Sequence, residues 1–102
     1  MAEFVKVATT DQIPEGAMLK VDRNGKKVLV ANIGGKFYAM DRICSHKGGP
    51  LDEGELDGKI VTCPWHGGKF DVTSGKVKQG PPQKDEAAYE VHVEGKDILV
   101  KL

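Results

Sequence analysis

The chain is 102 residues long, 39% apolar and 29% charged, which suits one compact globular domain and is too short for two. Fifteen basic residues cancel fifteen acidic ones, so no overall charge draws the chain onto nucleic acid or anionic lipid. The longest apolar run, Val28 to Ala31, is far below the roughly 20 residues of a membrane helix. Met1 to Lys6 also lack the basic start and apolar core of a secretory signal. Neither nucleic acid nor membrane is expected as a partner, and a cytoplasmic setting is.

Short β-rich runs alternate with glycine-containing turns, and no window keeps an apolar 3.6-residue period long enough for a helix. An all-β fold follows. Phe4 to Ala8 reads as a first strand, and Thr10 to Gly16 as an irregular turn ended by Pro-Glu-Gly. Met18 to Val21 and Lys27 to Ile33 form a hairpin across Asp22 to Gly25, because Asn24-Gly25 suits the positive φ angles of a tight turn. Gly34-Gly35 turns the chain again into Lys36 to Met40.

Residues 42 to 54 lose the β pattern and gather Cys44, His46, Gly48, Gly49, Pro50 and Gly54, which is loop chemistry. After a turn at Leu56 to Gly58, Lys59 to Thr62 is a short strand that delivers the chain into Cys63-Pro64-Trp65-His66-Gly67-Gly68. Lys69 to Val72 leads away, Thr73 to Lys76 turns, and Gly80-Pro81-Pro82 cannot occupy a central strand. Ala88 to Val93 and Ile98 to Leu102 form a closing hairpin around Glu94 to Asp97. Along it His92 alternates with Val91 and Val93 and shares the outward face with Glu90 and Glu94.

Both cysteines are followed closely by a histidine, as Cys44-Ser45-His46 and as Cys63-Pro64-Trp65-His66. By composition alone two such hits have a chance of roughly one in a hundred. Two buried thiols with incidental histidines would leave the spacing a coincidence, and a Cys44–Cys63 disulfide would leave both histidines unexplained in a reducing compartment. Metal is the better answer. A tetrahedral Cys2His2 zinc site is chemically possible, although zinc usually takes its cysteines from one knuckle and its histidines from another element. One thiol and one imidazole from each loop suit a binuclear 2Fe-2S cluster, with sulfur ligands on one iron and nitrogen ligands on the other.

Cys44-x-His46, sixteen intervening residues and Cys63-x-x-His66 resemble the ligand signature of Rieske-type iron-sulfur proteins. So do Ile13 to Gly16, Gly35 to Ala39, Cys44 to Leu51, Cys63 to Asp71 and Gly80-Pro81, which cover nearly the whole chain in order. The resemblance implies antiparallel sheets, with a cluster-binding subdomain of about residues 42–84 inserted in a base made of the remainder. It implies Cys44 and Cys63 as ligands of the inner iron, and His46 and His66 as ligands of the outer one. Lys47, Trp65, Gly67 and Pro81 are then candidates for shielding the cluster or touching a partner, with ordinary packing and solvation as the alternative for each.

Respiratory Rieske proteins carry a further cysteine in each ligand loop and join the loops by a disulfide; Gly49 and Trp65 stand at those places here. Gly68 and Phe70 replace a serine and a tyrosine that donate hydrogen bonds to the cluster in high-potential relatives. The resemblance is therefore to low-potential ferredoxins, with a potential nearer roughly −150 mV than +300 mV. It implies a one-electron carrier and not an enzyme, serving a flavin-containing reductase and a terminal oxygenase or other acceptor. The alternatives are a Rieske-like small subunit held in a larger reductase complex and a zinc-binding interaction module.

Overall fold

The computed structural model describes residues 3–23, 25–43, 48–65, 67–80 and 85–102. In chain order its strands are β1 (Phe4–Thr9), β2 (Met18–Arg23), β3 (Lys26–Ile33), β4 (Lys36–Asp41), β5 (Glu55–Asp57) and β6 (Ile60–Thr62). There follow β7 (Lys69–Asp71), β8 (Val77–Gln79), β9 (Ala88–Tyr89), β10 (Val91–Glu94) and β11 (Asp97–Lys101). Short 3-10 turns occupy Thr10–Gln12 and Leu51–Glu53. Every pairing is antiparallel, in three sheets ordered β1-β11-β10, β2-β3-β4-β9 and β5-β6-β7-β8. Among the described residues no helix is long and apolar enough to cross a membrane.

The sheet containing β3 is the middle layer, which explains why β3 is apolar at consecutive positions. Val28 and Val30 point into a core completed by Ala8, Ile13, Val21, Ala39, Ile98, Val100 and Leu102. Leu29 and Ala31 point the other way, into a second core with Met40, Leu51, Val61, Cys63, Phe70 and Val72. A strand covered on both faces has no polar side to show, so its sequence is a run and not an alternation.

Asn32 continues the first face as a buried polar residue whose groups are all engaged. Its side-chain amide donates to the Ile13 carbonyl at 2.8 Å, and its Oδ1 accepts from the Gly35 N–H at 2.9 Å. Its backbone exchanges hydrogen bonds with Gly16 and Ala17, so the Thr10–Ala17 segment is fastened over the first core.

The β2–β3 and β3–β4 hairpins agree with the sequence, and the first is longer than expected, with pairing out to Arg23 and Lys26. Asn24, the other half of the turn signal, lies outside the described residues. Two expectations are corrected, and one strand is added. Glu55–Asp57 is an edge strand and not part of a turn, because its backbone pairs with β6. Val77–Gln79 adds a second edge strand, on β7. The Ala88 to Val93 segment breaks at Glu90: Ala88 and Tyr89 pair with β4, whereas Val91 to Glu94 pair with β11. The chain thus leaves the middle sheet after Asp41 and returns beside it, with the Asp41 N–H donating to the Ala87 carbonyl at 2.9 Å.

Candidate metal centre

Strand β6 ends at Thr62 and β7 begins at Lys69, so the second candidate loop is the connection of a hairpin. The Cys63 N–H donates to the Gly68 carbonyl at 2.7 Å, and the Gly67 N–H donates back to the Cys63 carbonyl at 3.1 Å. Gly67 makes this return with a φ of 73°, where a side chain would be strained. The Cys63 side chain is buried against the second core, in company with Val61, Phe70 and Leu51.

The first candidate loop leaves β4 and is closed where Ile43 bridges Pro50 and the Leu51 N–H donates to the Arg42 carbonyl at 2.7 Å. Leu51, fully buried in the second core, anchors the far side of the closure. Within this loop Gly49 is buried so closely that a Cβ there would lie 2.9 Å from Cys63 Sγ and 3.1 Å from Cγ and Cδ2 of Trp65. The backbone of one loop therefore rests directly on the thiol of the other.

Trp65 covers Gly49 with one edge of its ring and leaves 57% of the residue exposed. A cavity of about 330 Å³ is lined by Glu53, Gly54, Glu55, Thr62, Cys63 and Pro64. His92 lies elsewhere, exposed on β10, with Nε2 3.5 Å from Glu94 Oε1 and its ring edge-on to Phe4. Its outward placement is as expected, but Val93, placed by the alternation on the opposite face, is also 40% exposed. Cys44, His46, Lys47, His66 and Pro81 lie outside the described residues.

Two supporting residues escaped the sequence reading. Asp71, buried at the end of β7, accepts from the N–H and the hydroxyl of Thr73 at 2.9 and 2.6 Å, and Lys59 Nζ stands 3.6 Å from its Oδ2. Burial acts to raise its pKa, but the Thr73 donors and the Lys59 and Lys78 charges outweigh burial and hold the carboxyl below its ordinary value. Asp71-x-Thr73 is a side-chain turn signal that sequence could have supplied. Tyr89 donates its hydroxyl to Asp41 Oδ1 at 2.6 Å, tying β9 to the end of β4 just before the first loop. Burial first, and the Asp41 carboxylate next, raise the Tyr89 pKa well above the ordinary phenol value.

The returning segment is pinned to the same hairpin. The Val77 N–H donates to Asp85 Oδ1 at 2.9 Å and the Glu86 N–H to the Gly75 carbonyl at 2.7 Å. Gly75 has a φ of 78°, and a Cβ there would run into the Glu86 carbonyl oxygen.

The donor chemistry and the cradle both fit a 2Fe-2S cluster. A buried thiol faces Gly49, where even a Cβ would crowd it, in a pair of loops that together carry two thiols and two imidazoles. Comparison with known proteins agrees. The biphenyl dioxygenase ferredoxin subunit of Pseudomonas sp. (strain KKS102) is 41% identical over 98 residues, 95% of this chain and 90% of that one. The ferredoxin component of the naphthalene 1,2-dioxygenase/salicylate 5-hydroxylase systems of Ralstonia sp. is 35% identical, over 97% of this chain and 95% of its own. Among solved structures, the ferredoxin of carbazole 1,9a-dioxygenase from Nocardioides aromaticivorans IC177 superposes with a TM-score of 0.92 at 37% identity, covering 96% of each chain. The profile of the Rieske [2Fe-2S] domain matches residues 3–99, and with the paired loops in place the chain belongs to that family, whose cluster is held by two cysteines and two histidines.

Proposed function

We propose that this chain is a one-electron carrier that accepts an electron from a flavin-containing reductase and passes it to a terminal oxygenase or another acceptor enzyme. In this reading Cys44 and Cys63 hold the cluster by their thiolates, and His46 and His66 by their imidazoles. The cluster supplies a single reversible electron; the chain supplies the ligands, the cover and the docking face. The observation that carries the reading is the seat of Gly49 on Cys63 Sγ, by which the loop that carries Cys44 and His46 in sequence meets the thiol of the other loop.

The relatives support the partner class. A chain in the solved complex of reduced oxygenase and oxidized ferredoxin in carbazole 1,9a-dioxygenase matches this one with a TM-score of 0.91 at 32% identity. The cluster-binding part is assigned to about 42–84, in keeping with the departure of the chain from β4 and its return to β9 in the same sheet. Trp65, more than half exposed, presents a flat apolar surface for a partner, with Lys47, Gly67 and Pro81 as its neighbours in sequence or in role. A cytoplasmic setting belongs to the same reading.

The test is iron and acid-labile sulfide analysis of the purified protein, with absorption and low-temperature EPR spectra before and after dithionite. About two irons and two sulfides per chain, with a rhombic signal of low average g on reduction, are expected. Reoxidation of the reduced protein by a Rieske-type oxygenase then establishes the carrier role. Stoichiometric zinc with a silent spectrum overturns the proposal.

A further inference from the structure

We infer that Arg42 and Asp52 are positioning residues for the first ligand loop, an ion pair that fixes the distance between its two ends. Arg42 directly precedes the bridge residue Ile43, and Asp52 follows Leu51 just past the partner residue Pro50. Arg42 Nε donates to Asp52 Oδ1 at 2.9 Å, and the two side chains are only 11% and 9% exposed. The pair therefore spans the neck of the loop on which Cys44 and His46 sit.

Among the described residues the backbone closes that neck at one point, the antiparallel bridge between Ile43 and Pro50. Pro50 has no N–H to contribute, and the Leu51 N–H donates to the Arg42 carbonyl beside the bridge. Both sides of the neck are otherwise well founded. The Arg42 N–H donates to the Lys27 carbonyl of β3 at 3.1 Å, and Leu51 is fully buried in the second core. A single bridge between two firm anchors holds their separation at one point, and their relative angle depends on a second tie. A charge-assisted hydrogen bond supplies that tie, since it is short and directional.

Stability by itself is a poor reason for such a pair. Desolvating two charges is costly, and apolar replacements of similar volume commonly leave a fold as stable or more so. A well-packed apolar pair fills the same space but imposes no donor–acceptor direction. The ion pair is thus what holds the loop at the geometry two ligands require. This inference rests on the assignment of Cys44 and His46 as ligands.

The experiment compares cluster-loaded wild-type protein with Asp52→Ala, Asp52→Asn and the double variant Arg42→Met/Asp52→Leu. Three readouts are used: thermal midpoint, rate of cluster bleaching under an iron chelator, and EPR g-values after reduction. Asp52→Ala strands a buried guanidinium and loses both stability and cluster. The double variant recovers the thermal midpoint yet bleaches roughly tenfold faster or more, the scale of loss for groups that orient metal ligands, with shifted g-values. Asp52→Asn keeps the shape and an acceptor for Arg42 Nε but not the charge, and bleaches faster than wild type and more slowly than Asp52→Ala.

A double variant with wild-type bleaching and g-values overturns the inference, because simple packing would then suffice. If the double variant does not fold, Asp52→Asn decides: bleaching as fast as that of Asp52→Ala overturns the inference equally. Wild-type protein that binds no iron and sulfide overturns the functional reading instead, and this one with it.

Discussion

Gly49→Ala adds a single methyl group at the contact between the two loops, and its effect can be worked out from the coordinates. The new carbon would lie 2.9 Å from Cys63 Sγ, roughly 0.6 to 1.1 Å inside an ordinary heavy-atom contact. Backbone strain is no part of the effect, since the φ of Gly49 is not in the left-handed region. On backbone grounds alone the substitution would stabilise by about 0.4–1 kcal/mol through the unfolded chain. Overpacking of a filled site costs about 1–3 kcal/mol and decides the sign. The net loss is about 1–2 kcal/mol, or a fall of about 4–16 °C in Tm for a domain of this size.

Which neighbour yields matters more than the total. Trp65 is 57% exposed and has solvent to move into, whereas Cys63 is 2% exposed and has none. Adding Trp65→Ala should therefore relieve only part of the loss, and iron release from Gly49→Ala should remain faster than from wild type. Thermal unfolding followed by circular dichroism, with iron retention measured on the same samples, reads both effects. Gly95→Ala is the control: its φ is 60° and its surroundings are open, so it lowers Tm through backbone strain and leaves iron retention unchanged. Unchanged Tm and unchanged iron retention in Gly49→Ala would refute the close approach of the loops, and the functional reading would lose its main support.

Two further perturbations test the scaffold around the site. Because the folded pKa of Asp71 is depressed, its contribution is present above the unfolded carboxyl pKa and is lost as pH falls through the folded value. Asp71→Asn should cost about 1–2 kcal/mol at neutral pH, and the gap to wild type in urea titrations should close in acid; a gap independent of pH would contradict the assignment. Tyr89→Phe removes the 2.6 Å hydrogen bond to Asp41 and should cost about 1 kcal/mol. Because the pKa of Tyr89 is raised on folding, that stability is complete below the ordinary phenol range and fades as pH rises through the folded value. An ultraviolet phenol titration should accordingly show one tyrosine ionising late in wild type and not in the variant.

How far the sequence could be read depended on the kind of signal each segment carried. The β2–β3–β4 meander was legible because Asn-Gly and Gly-Gly punctuate apolar-rich runs. Glu55–Asp57 and Val77–Gln79 were not legible: they are three-residue edges with one apolar residue each, made strands by the partner backbone and not by their own propensity. The break at Glu90 was hidden for a different reason. Alternation reports which way side chains point but not which neighbour accepts the hydrogen bonds, and this segment serves two sheets. At the site, spacing exposed the Cys/His pairs, and Gly49 and Trp65, noted for the cysteines they replace, lie in contact. The Arg42–Asp52 pair left no trace in sequence, because two charges ten positions apart acquire meaning only once a loop has closed between them.

The two-sided burial of β3 also governs how the protein comes apart. Leu29, Ala31 and Met40 are shared between the middle sheet and the β5–β8 sheet, so neither layer can detach without exposing an apolar face to water. A segment that leaves and returns at one point, as 42–87 does, could in principle open like a lid on a stable base; this shared core forbids it. Amide hydrogen exchange should therefore find β3 and β6 among the last strands to exchange, through one global opening and not two separate ones. Electron transfer would then proceed on a frame whose redox end moves with its foundation and never independently of it.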